Sequence, residues 1–384
     1  MASTFPRWNN DNQPQFVLEF AQHLAQNHDV TVLAPYEKGS KIHERSGEID
    51  IYRFPYTFPG TERLAYRGGM VNAFRESIIA KVQLPLFLLA EVMFGQWLIA
   101  TKRIDIINAH WLFPQGFVAS ALKKLNHKKL VITTHGGDVE ILKNARAKRL
   151  LKWPLITADA VTFVSRHNLT QASNNTNNPA EKWSVMPMGI DIPDNAQRRK
   201  GLALNVLFLG RLVEIKGVAY LIEGVAKAHK DGVNVHLNIL GDGPSRPLLE
   251  ELVEKQSSAE FISFRGFIGG QEKDRYLAES DVVVVSSIID DQGNEEGLPV
   301  AALEAMAYGK VLIATRTGSL PELLEDGGGI LIEQKSISAI CSALKHITTN
   351  PDDAARMRKA ARQKAAAYDW NVITNKFDLI LDNI

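Results

Sequence analysis

Short apolar runs rich in β-branched residues alternate with segments of helical periodicity over almost the whole sequence. This alternation predicts parallel α/β units, because two parallel strands need a long crossover connection that is usually a helix. Strands are predicted at 30–33, 49–52, 104–107, 130–133, 160–163, 205–209, 235–240, 262–265, 282–285, 311–314 and 329–332. Helices are predicted, among others, at 16–26, 218–229, 246–256, 352–367 and 370–383. The fold class is therefore predicted to be α/β.

The length of the chain predicts two domains, because 384 residues exceed what one hydrophobic core usually serves. Residues 191–203 are polar and contain proline and glycine, as interdomain linkers do. We therefore predict an N-terminal domain over 1–192, a second domain over 203–367 and a closing helix over 368–384.

The net charge of +1 conceals an asymmetry, since residues 1–192 carry +6 and residues 193–384 carry −5. A basic half favours an anionic partner on that side. Its densest basic run, from Lys143 to Lys152, lies on a predicted helix. This run is interpreted either as a solvated helix face or as a contact with anionic lipid headgroups or a phosphorylated acceptor.

Residues 82–100 form a 19-residue apolar stretch that contains Gln83, Pro85 and Glu91. A charge at midspan is costly in lipid, so a buried or interfacial helix is predicted instead of a transmembrane one. The single cysteine, Cys341, excludes an intramolecular disulfide and favours a reducing, cytosolic setting. No signal-peptide pattern opens the sequence, which agrees with that expectation.

Two carboxylates, Glu296 and Glu304, flank an apolar segment that is predicted to be a buried helix. A buried carboxylate needs a polar partner, and ligand hydroxyl groups would serve. If the intervening residues were mostly helical, the two backbones would be up to ~12 Å apart. Retaining glycosidases need carboxyl groups ~5–5.5 Å apart, so this pair instead favours binding to two parts of one ligand. The alternatives are an acid at a helix N-terminus for Glu296 and a buried ion pair for Glu304.

Two cations follow the strand predicted at 205–209, at the end where open α/β sheets bind ligands. Arg211 comes directly after the strand, and Lys216 precedes a predicted helix. A cation at a helix N-terminus opposes the helix dipole, so its presence suggests that an anion binds there as well. The alternative is a solvated loop in which Lys216 pairs with Glu214.

Several backbone positions near these side chains suit close approach of a ligand. Gly210, Gly241 and Gly243 follow predicted strands, and the N–H groups of Gly297 and Leu298 lie at the predicted start of a helix. A Gly-x-Gly pattern alone is weak evidence for a ligand site, and its position after a strand strengthens that evidence.

In the first half, His135 follows the strand predicted at 130–133 and belongs to the motif Thr-Thr-His-Gly-Gly-Asp. This position puts the imidazole at the ligand-facing end of the sheet, and Asp138 is predicted to be the N-cap of the next helix. His110 is placed similarly after the preceding strand. Zinc-ligand spacing, a Ser-His-Asp order, a Walker loop and nucleic-acid-binding motifs are absent from the sequence.

These motifs, taken in order, resemble glycosyltransferase family 4. The resemblance rests on Glu-x7-Glu followed by Ala-Met-Ala-x-Gly, and on the segments 208–211, 216–217, 241–244 and 318–322. It implies the GT-B fold, with two Rossmann-like doubly wound domains facing a central cleft and a final helix that returns to the first domain. It also implies a retaining transfer of a hexosyl unit from a UDP- or GDP-linked sugar, without a metal or other cofactor.

The resemblance assigns roles to individual residues. It places Arg211 and Lys216 on the donor diphosphate, Glu296 on the donor sugar, Glu304 on the ribose and His135 near the reaction centre. It further implies a saccharide or lipid-linked acceptor in cell-surface polysaccharide or glycolipid synthesis. The expected location is the cytoplasm, in peripheral contact with an anionic inner membrane face through the basic N-terminal domain.

One feature departs from the family pattern, since the first central strand should precede the loop at 3–8 and only two residues are available for it. That strand is expected to be missing or reduced to a stub, either because the natural start lies upstream or because this copy is truncated. Two alternatives to a transferase follow from the residues: a non-catalytic or truncated sugar-nucleotide-binding homologue, and a sugar-nucleotide epimerase of the same fold.

Overall fold

The computed structural model describes residues 1–8, 11, 13–66, 70, 73, 77–176, 181–194, 203–291 and 293–384. The chain divides into two compact units, one of Met1–Met188 with Ile373–Ile384 and one of Gly189–Val372. The boundary thus falls just before the predicted linker, of which residues 195–202 lie outside the described residues. The end of the chain belongs to the N-terminal unit.

The N-terminal unit contains seven strands among its described residues. They are β1 Thr31–Pro35, β2 His43–Ser46, β3 Ile49–Phe54, β4 Ile106–His110, β5 Lys129–Thr133, β6 Ala160–Phe163 and β7 Trp183–Val185. One sheet has the order β1-β3-β2 with β2 antiparallel, and the other has the parallel order β4-β5-β6-β7. The sequence did not predict β2 and β7, because β2 is a polar edge strand and β7 has three residues.

The first two residues lie between these two sheets. The carbonyl oxygen of Met1 accepts a hydrogen bond from the His110 N–H at 2.9 Å. On the other side, the Ala2 N–H donates to the carbonyl of Leu33 at 3.0 Å. Met1 and Ala2 therefore occupy the position of a strand between β1 and β4, as the stub described above would.

Among the described residues, six α-helices precede the second unit. They are α1 Phe16–Leu24, α2 Ile78–Lys102, α3 Phe117–Asn126, α4 Gly137–Glu140, α5 Ala145–Thr157 and α6 Arg166–Thr176. By length and composition alone, α2 is apolar enough to cross a membrane, and 28% of its most apolar window is buried against the protein. The buried positions of α2 contact the N-terminal unit, as the predicted buried or interfacial helix would.

The described residues of the C-terminal unit form one six-stranded parallel sheet. Its strands are β8 Leu204–Leu209, β9 Val235–Leu240, β10 Ile262–Gly266, β11 Val282–Val285, β12 Val311–Thr315 and β13 Gly329–Ile332, in the order β10-β9-β8-β11-β12-β13. The described helices of this unit are α7 Val218–Lys230, α8 Arg246–Lys255, α9 Gly270–Glu279, α10 Val300–Ala307, α11 Leu320–Leu324, α12 Ile337–Thr349 and α13 Pro351–Ala365. The last helix, α14 Trp370–Asp382, begins in this unit and belongs to the N-terminal unit from Ile373 onward. All strands predicted in this half are present within one residue of their predicted ends.

Both faces of this sheet are buried, which confirms the doubly wound arrangement. Along β8, Val206 and Phe208 belong to one hydrophobic cluster, whereas Leu207 and Leu209 belong to another. This alternation follows from the two-residue period of a strand. The chain runs outward from β8 to β9 and β10, then returns to β11 on the other side of β8. The point between β8 and β11 is therefore the topological switch point at which such sheets bind ligands.

Asp281 links β8 to β11 by hydrogen bonds at the amino ends of these strands, opposite the ligand-binding end. Its N–H donates to the carbonyl of Asn205 at 2.9 Å, and its carboxylate accepts from the Asn205 N–H at 3.1 Å. This side chain therefore aligns β8 with β11, so that the loops that leave the far ends of these strands lie beside one another.

A glycine contact holds the loops after β8 and β9 together. Gly241 has φ +147°, and a Cβ added there would lie 1.8 Å from the carbonyl oxygen of Gly210. Any larger residue must displace one of the two loop backbones.

Replacing Gly241 with alanine should therefore destabilise the C-terminal unit by at least about 2 kcal/mol in urea unfolding. Gly269→Ala is the matched control, because its φ is −132° and its added Cβ meets only ordinary contacts, the nearest at 3.8 Å. The control should change the free energy of unfolding by about 0.5 kcal/mol or less. Equal effects of the two substitutions would contradict the inferred loop contact.

Candidate functional site

Four loops of the C-terminal unit leave the carboxyl ends of neighbouring strands. They cover residues 210–217 after β8, 241–245 after β9, 286–299 after β11 and 316–319 after β12. Parallel pairing of these strands puts all four loops at the same edge of the sheet. The predicted residues Gly210, Arg211, Lys216, Gly241 and Gly243 lie in these loops, as do Glu296, Gly297 and Leu298.

Lys216 and Glu296 are in direct contact across the switch point. The Lys216 ammonium donates to one carboxylate oxygen of Glu296, and the Ser287 hydroxyl donates to the other. The side chains of Lys216 and Glu296 are 20% and 17% exposed, so the ion pair is mostly shielded from water. The partner of Lys216 is thus Glu296 and not Glu214, which was the alternative suggested by the sequence.

The backbone fixes the position of Lys216. Residues Glu214–Lys216 form a single helical turn, and Gly217 follows with φ +61°. A Cβ added at Gly217 would lie 2.0 Å from the carbonyl oxygen of Ser286. The Ser286 hydroxyl in turn donates to the Lys216 carbonyl at 2.9 Å. The loops after β8 and β11 therefore hold the ammonium group in place from both sides.

The segment before α10 differs from the prediction. The helix begins at Val300 with Pro299 as its N-cap, so Glu296 lies four residues before it and is not a helix-terminal acid. Glu295 accepts a hydrogen bond from the Gly318 N–H at 2.9 Å, and the Ser319 hydroxyl donates to the carbonyl of Gly297. These bonds attach the segment to the loop after β12.

Gly297 and Leu298 also precede the helix, which corrects the prediction that their N–H groups belong to its first turn. Neither N–H has a hydrogen-bond acceptor among the residues that the structure describes. Both groups are therefore available to a ligand oxygen next to the Glu296 carboxylate.

Glu304 lies inside α10 and is 8% exposed. Its carboxylate is paired with the ammonium group of Lys273, which projects from α9 and whose side chain is 31% exposed. The structure thus contains the buried ion pair that was the alternative interpretation of Glu304. Lys273 does not stand out in the sequence, because it lies on a polar helix that carries charges of both signs.

Arg211 is exposed and lies where the backbones of the loops after β8 and β9 are hydrogen-bonded to each other. The Gly210 N–H donates to the Leu240 carbonyl at 3.0 Å, and the Leu212 N–H donates to the Asp242 carbonyl at 2.9 Å. A Cβ added at Gly243 would lie 2.4 Å from the Leu212 carbonyl oxygen. The glycines of this region therefore serve the close approach of two backbones, whatever ligand they also admit.

In the N-terminal unit, His110 and His135 lie side by side at the carboxyl ends of β4 and β5. Nδ1 of His110 is 3.0 Å from Nε2 of His135, so the N–H of one ring donates a hydrogen bond to the bare nitrogen of the other. The indole of Trp111 lies 4.5 Å from the His135 ring, centroid to centroid, and the ring of Phe16 lies 5.0 Å away. This aromatic surrounding excludes water from most of the imidazole pair.

Burial lowers the pKa of both imidazoles. The pKa of His135 falls to about 3 because its charged form is poorly solvated. Burial also holds the pKa of His110 well below its usual value, and the nearby His135 lowers this pKa further. At neutral pH both rings are uncharged, so His135 offers a ligand a neutral hydrogen-bonding group.

Asp138 fixes the loop that carries His135, and it is not the N-cap predicted for α4. Its carboxylate accepts hydrogen bonds from the backbone N–H groups of His135 at 3.0 Å and Leu112 at 2.9 Å. The residue before the helix is Gly136, which provides no side-chain cap. Burial raises the pKa of Asp138, whereas these backbone hydrogen bonds act in the opposite direction.

Groups of three or more His, Cys, Asp or Glu side chains that could hold a metal ion do not occur within the described part of the chain.

The neutral histidines predict a pH dependence of stability. A histidine whose folded pKa is depressed favours the unfolded state once the pH falls below its unfolded value near 6.5. His135→Gln should remove one such group and reduce the acid-side slope of unfolding free energy by about 1 kcal/mol per pH unit between pH 5 and 6. Urea titrations at several pH values measure this slope, with His236→Gln, an exposed position, as the control. An unchanged slope in His135→Gln would contradict a neutral, partly buried imidazole.

The Lys273–Glu304 pair predicts a strong dependence of stability on its cation. Lys273→Met leaves a buried carboxylate without its counter-charge, and about 1–3 kcal/mol of unfolding free energy should be lost. Adding Glu304→Gln in the same chain should restore most of that loss. The exposed pair Lys255–Glu251 supplies the control, and Lys255→Met should cost about 0.5 kcal/mol or less. Failure of the second substitution to rescue stability would contradict the pairing.

Comparison with known proteins assigns the family. Residues 194–364 match the family described as Glycosyl transferases group 1, and residues 13–193 match Glycosyltransferase Family 4. An uncharacterised glycosyltransferase of Methanocaldococcus jannaschii is 27% identical over 288 residues, which cover 74% of this chain and 77% of the relative.

A second relative is the GDP-mannose-dependent alpha-(1-6)-phosphatidylinositol monomannoside mannosyltransferase of Mycolicibacterium smegmatis. It is 26% identical over 359 residues, which cover 90% of this chain and 88% of the relative. Among solved structures, HepE of Anabaena in complex with UDP and glucose aligns with TM-score 0.74 and 16% identity over 98% of each chain. Its likeness confirms the predicted GT-B fold of two Rossmann-like units. With the two family matches covering nearly its whole length, the chain belongs to glycosyltransferase family 4, the group 1 glycosyltransferases.

Proposed function

We propose that this protein is a retaining glycosyltransferase that moves a hexosyl unit from a UDP- or GDP-linked sugar to a saccharide or lipid-linked acceptor. The contact of Lys216 with Glu296 across the switch point carries the proposal, since it joins a cation and a carboxylate where α/β sheets bind ligands. The mannosyltransferase relative is GDP-mannose-dependent by name, and HepE was solved with UDP and glucose. Cell-surface polysaccharide or glycolipid synthesis is the proposed setting.

In the proposed mechanism, Arg211 and Lys216 stabilise the negative charge that develops on the departing diphosphate. Preorganised cations contribute most where charge appears in the transition state. Lys216 is suited to this because two loop backbones hold it next to the N-terminus of α7. The helix dipole at that end adds to the attraction for an anion.

Glu296 binds hydroxyl groups of the donor sugar in this proposal. Lys216 and Ser287 each donate a hydrogen bond to one of its carboxylate oxygens. Each of these oxygens has a second lone pair that can accept a hydrogen bond from a sugar hydroxyl. The N–H groups of Gly297 and Leu298 bind oxygens of the same sugar or its phosphate. The ion pair also keeps the Glu296 carboxylate in a fixed orientation before the donor arrives.

Glu304 binds the ribose. Its pairing with Lys273 keeps a buried carboxylate charged, and the remaining lone pairs accept the ribose hydroxyl groups. This makes Lys273 a positioning residue, since it acts on the nucleotide through Glu304.

The chemical step proposed is front-face substitution. The bond from the anomeric carbon to the diphosphate oxygen breaks, and a bond to the acceptor oxygen forms on the same face. An oxygen of the leaving phosphate takes the acceptor proton, so neither a covalent enzyme intermediate nor a metal ion is needed. His135 hydrogen-bonds the donor near the reaction centre without adding a charge, as its lowered pKa allows.

We also propose that the protein is cytoplasmic and binds the anionic inner membrane face peripherally through its basic N-terminal unit. The net charge of +6 over residues 1–192 supports this partner. A lipid-linked acceptor presented at that surface would then diffuse in two dimensions to the enzyme.

Replacing either cation should lower turnover. Arg211→Ala and Lys216→Ala should each reduce kcat by about 10²–10³-fold, because each removes a group that stabilises developing charge. Release of nucleoside diphosphate from the donor measures the rate, and Lys230→Ala on the exposed end of α7 is the control. Near-normal rates in both site variants would exclude the assigned roles.

A screen of UDP- and GDP-linked sugars by thermal shift identifies the donor. A donor at about 100 times its Kd should add about 2.7 kcal/mol to the stability of the folded state. Subsequent transfer or hydrolysis of that donor separates a transferase from a protein that only binds sugar nucleotides, and formation of an epimerised sugar would instead identify an epimerase.

A further inference from the structure

Helix α2 presents a stripe of exposed apolar side chains that the proposed chemistry does not use. The stripe repeats at intervals of three or four residues, so its members lie on one face of the helix. We define the α2 stripe as Ile79, Val82, Leu86, Leu89, Met93 and Trp97, whose exposed fractions run from 47% to 66%. Single exposed apolar residues are common, but a continuous row over five helical turns marks an interaction surface.

The opposite face of α2 is fixed to the N-terminal unit. Phe87 and Leu98 are buried in its core, and the Gln83 amide donates to the carbonyl of Thr61 at 2.7 Å. The Gln83 side-chain oxygen accepts from the Arg63 N–H at 2.9 Å. Glu91 is completely buried on the same face. Crossing a bilayer would break these contacts and expose Glu91 to lipid, so α2 lies along a surface instead of spanning it.

Helices α3 and α5 continue the layer beside α2. The amide groups of Gln96 and Asn126 join α2 to α3 by hydrogen bonds of 2.9 and 2.8 Å. The rings of Phe117 and Trp153 join α3 to α5, with centroids 4.7 Å apart. Leu125 on α3 and two residues of α5 add further exposed apolar area, namely Leu150 at 46% and Ile156 at 52%.

The charges on this three-helix layer are almost entirely positive. Together α2, α3 and α5 carry eight Lys and Arg residues and one carboxylate, the buried Glu91. Two of these cations, Lys102 and Lys123, pair with Asp50 and Asp159 outside the three helices. Arg146, Arg149 and Lys152 of α5 are exposed. An exposed apolar stripe beside cations with no exposed carboxylate on these helices is the composition of a helix layer that lies on anionic lipid headgroups.

We propose that the three-helix layer is a membrane-docking surface, with the α2 stripe inserted parallel to the plane of an anionic bilayer and the cations of α5 at the phosphate level. This docking surface rests on the peripheral membrane contact proposed under the function. It adds the helix that inserts into the bilayer. A helix of 25 residues extends ~37 Å along the surface and inserts about 5–10 Å into the headgroup and acyl boundary.

A second copy of the chain is a poorer occupant. A two-fold interface through this face would bring the same cationic layer against itself, and like charges repel. Self-association through α2 is therefore a distinct outcome that the experiment must recognise.

Vesicle flotation of the full chain tests the docking surface. Wild-type protein should bind vesicles of equal phosphatidylglycerol and phosphatidylcholine at physiological ionic strength, and should bind pure phosphatidylcholine at least about tenfold more weakly. The double substitution Leu89→Glu with Met93→Glu should weaken binding to the anionic vesicles at least about tenfold, since it puts charge at the inserted positions. Leu248→Glu is the matched control, because Leu248 is 71% exposed on α8 of the other unit.

The cations are tested separately. Arg149→Gln with Lys152→Gln should weaken binding about fivefold for each lost charge, and the difference from wild type should shrink as salt rises. Quenching by bilayers with brominated acyl chains gives a readout that does not depend on affinity. Wild-type fluorescence should be quenched on binding, and much of that quenching should be lost in Trp97→Phe.

Several results would overturn the proposal. It fails if the stripe variant binds vesicles as wild type does, if Trp97→Phe leaves quenching unchanged, or if wild type is a dimer that this variant converts to a monomer without affecting lipid binding. If only the α5 variant lost vesicle binding, the peripheral contact would be supported and insertion of α2 would be excluded. Affinity for the nucleotide sugar, measured without vesicles, should be the same in all these variants, so failure of docking is distinguishable from failure of the proposed transferase activity.

Discussion

The ion pair between Lys216 and Glu296 is the contact on which the candidate site depends. It joins loops that leave β8 and β11, the strands on either side of the switch point. A free ammonium group and a free carboxylate would each order surrounding water and move among rotamers. In the ion pair, the Ser287 hydroxyl also binds the carboxylate, so both groups are held in one arrangement before a ligand binds. This preorganisation suits a site that must stabilise charge without first reorganising its own dipoles.

The rest of the C-terminal unit maintains that contact. Asp281 sets the alignment of β8 with β11 at the far edge of the sheet, and Gly217 allows the two loops to approach. The loop after β12 secures the backbone around Glu296 through Glu295 and Ser319. The N-terminal unit uses a different strategy, because burial and not an ion pair determines the state of His135. The groups at the candidate site of the C-terminal unit are thus charged, whereas the imidazole pair of the N-terminal unit is neutral.

The sequence predicted the strands of the C-terminal unit well because each is a short apolar run buried on both faces. It failed for β2, whose residues His43–Ser46 are polar and form an edge, and for the three-residue β7. It singled out Arg211, Lys216, Glu296 and Glu304 as candidates, since charged groups after strands or inside an apolar helix stand out. It missed Lys273 and Ser287, which matter only through partners distant in sequence. The roles of Asp138 and Glu295 were likewise out of reach, because each carboxylate binds a backbone N–H group distant in sequence, that of Leu112 for Asp138 and that of Gly318 for Glu295.

The central claim is that the loops after β8, β9 and β11, together with α10, bind one nucleotide sugar. Hydrogen exchange followed by mass spectrometry, with and without a non-hydrolysable analogue of the donor, tests it directly. The account predicts slower exchange in peptides that cover 210–217, 241–245 and 296–304, all with the same dependence on ligand concentration. Protection confined to one of these segments, or found only outside them, would contradict it.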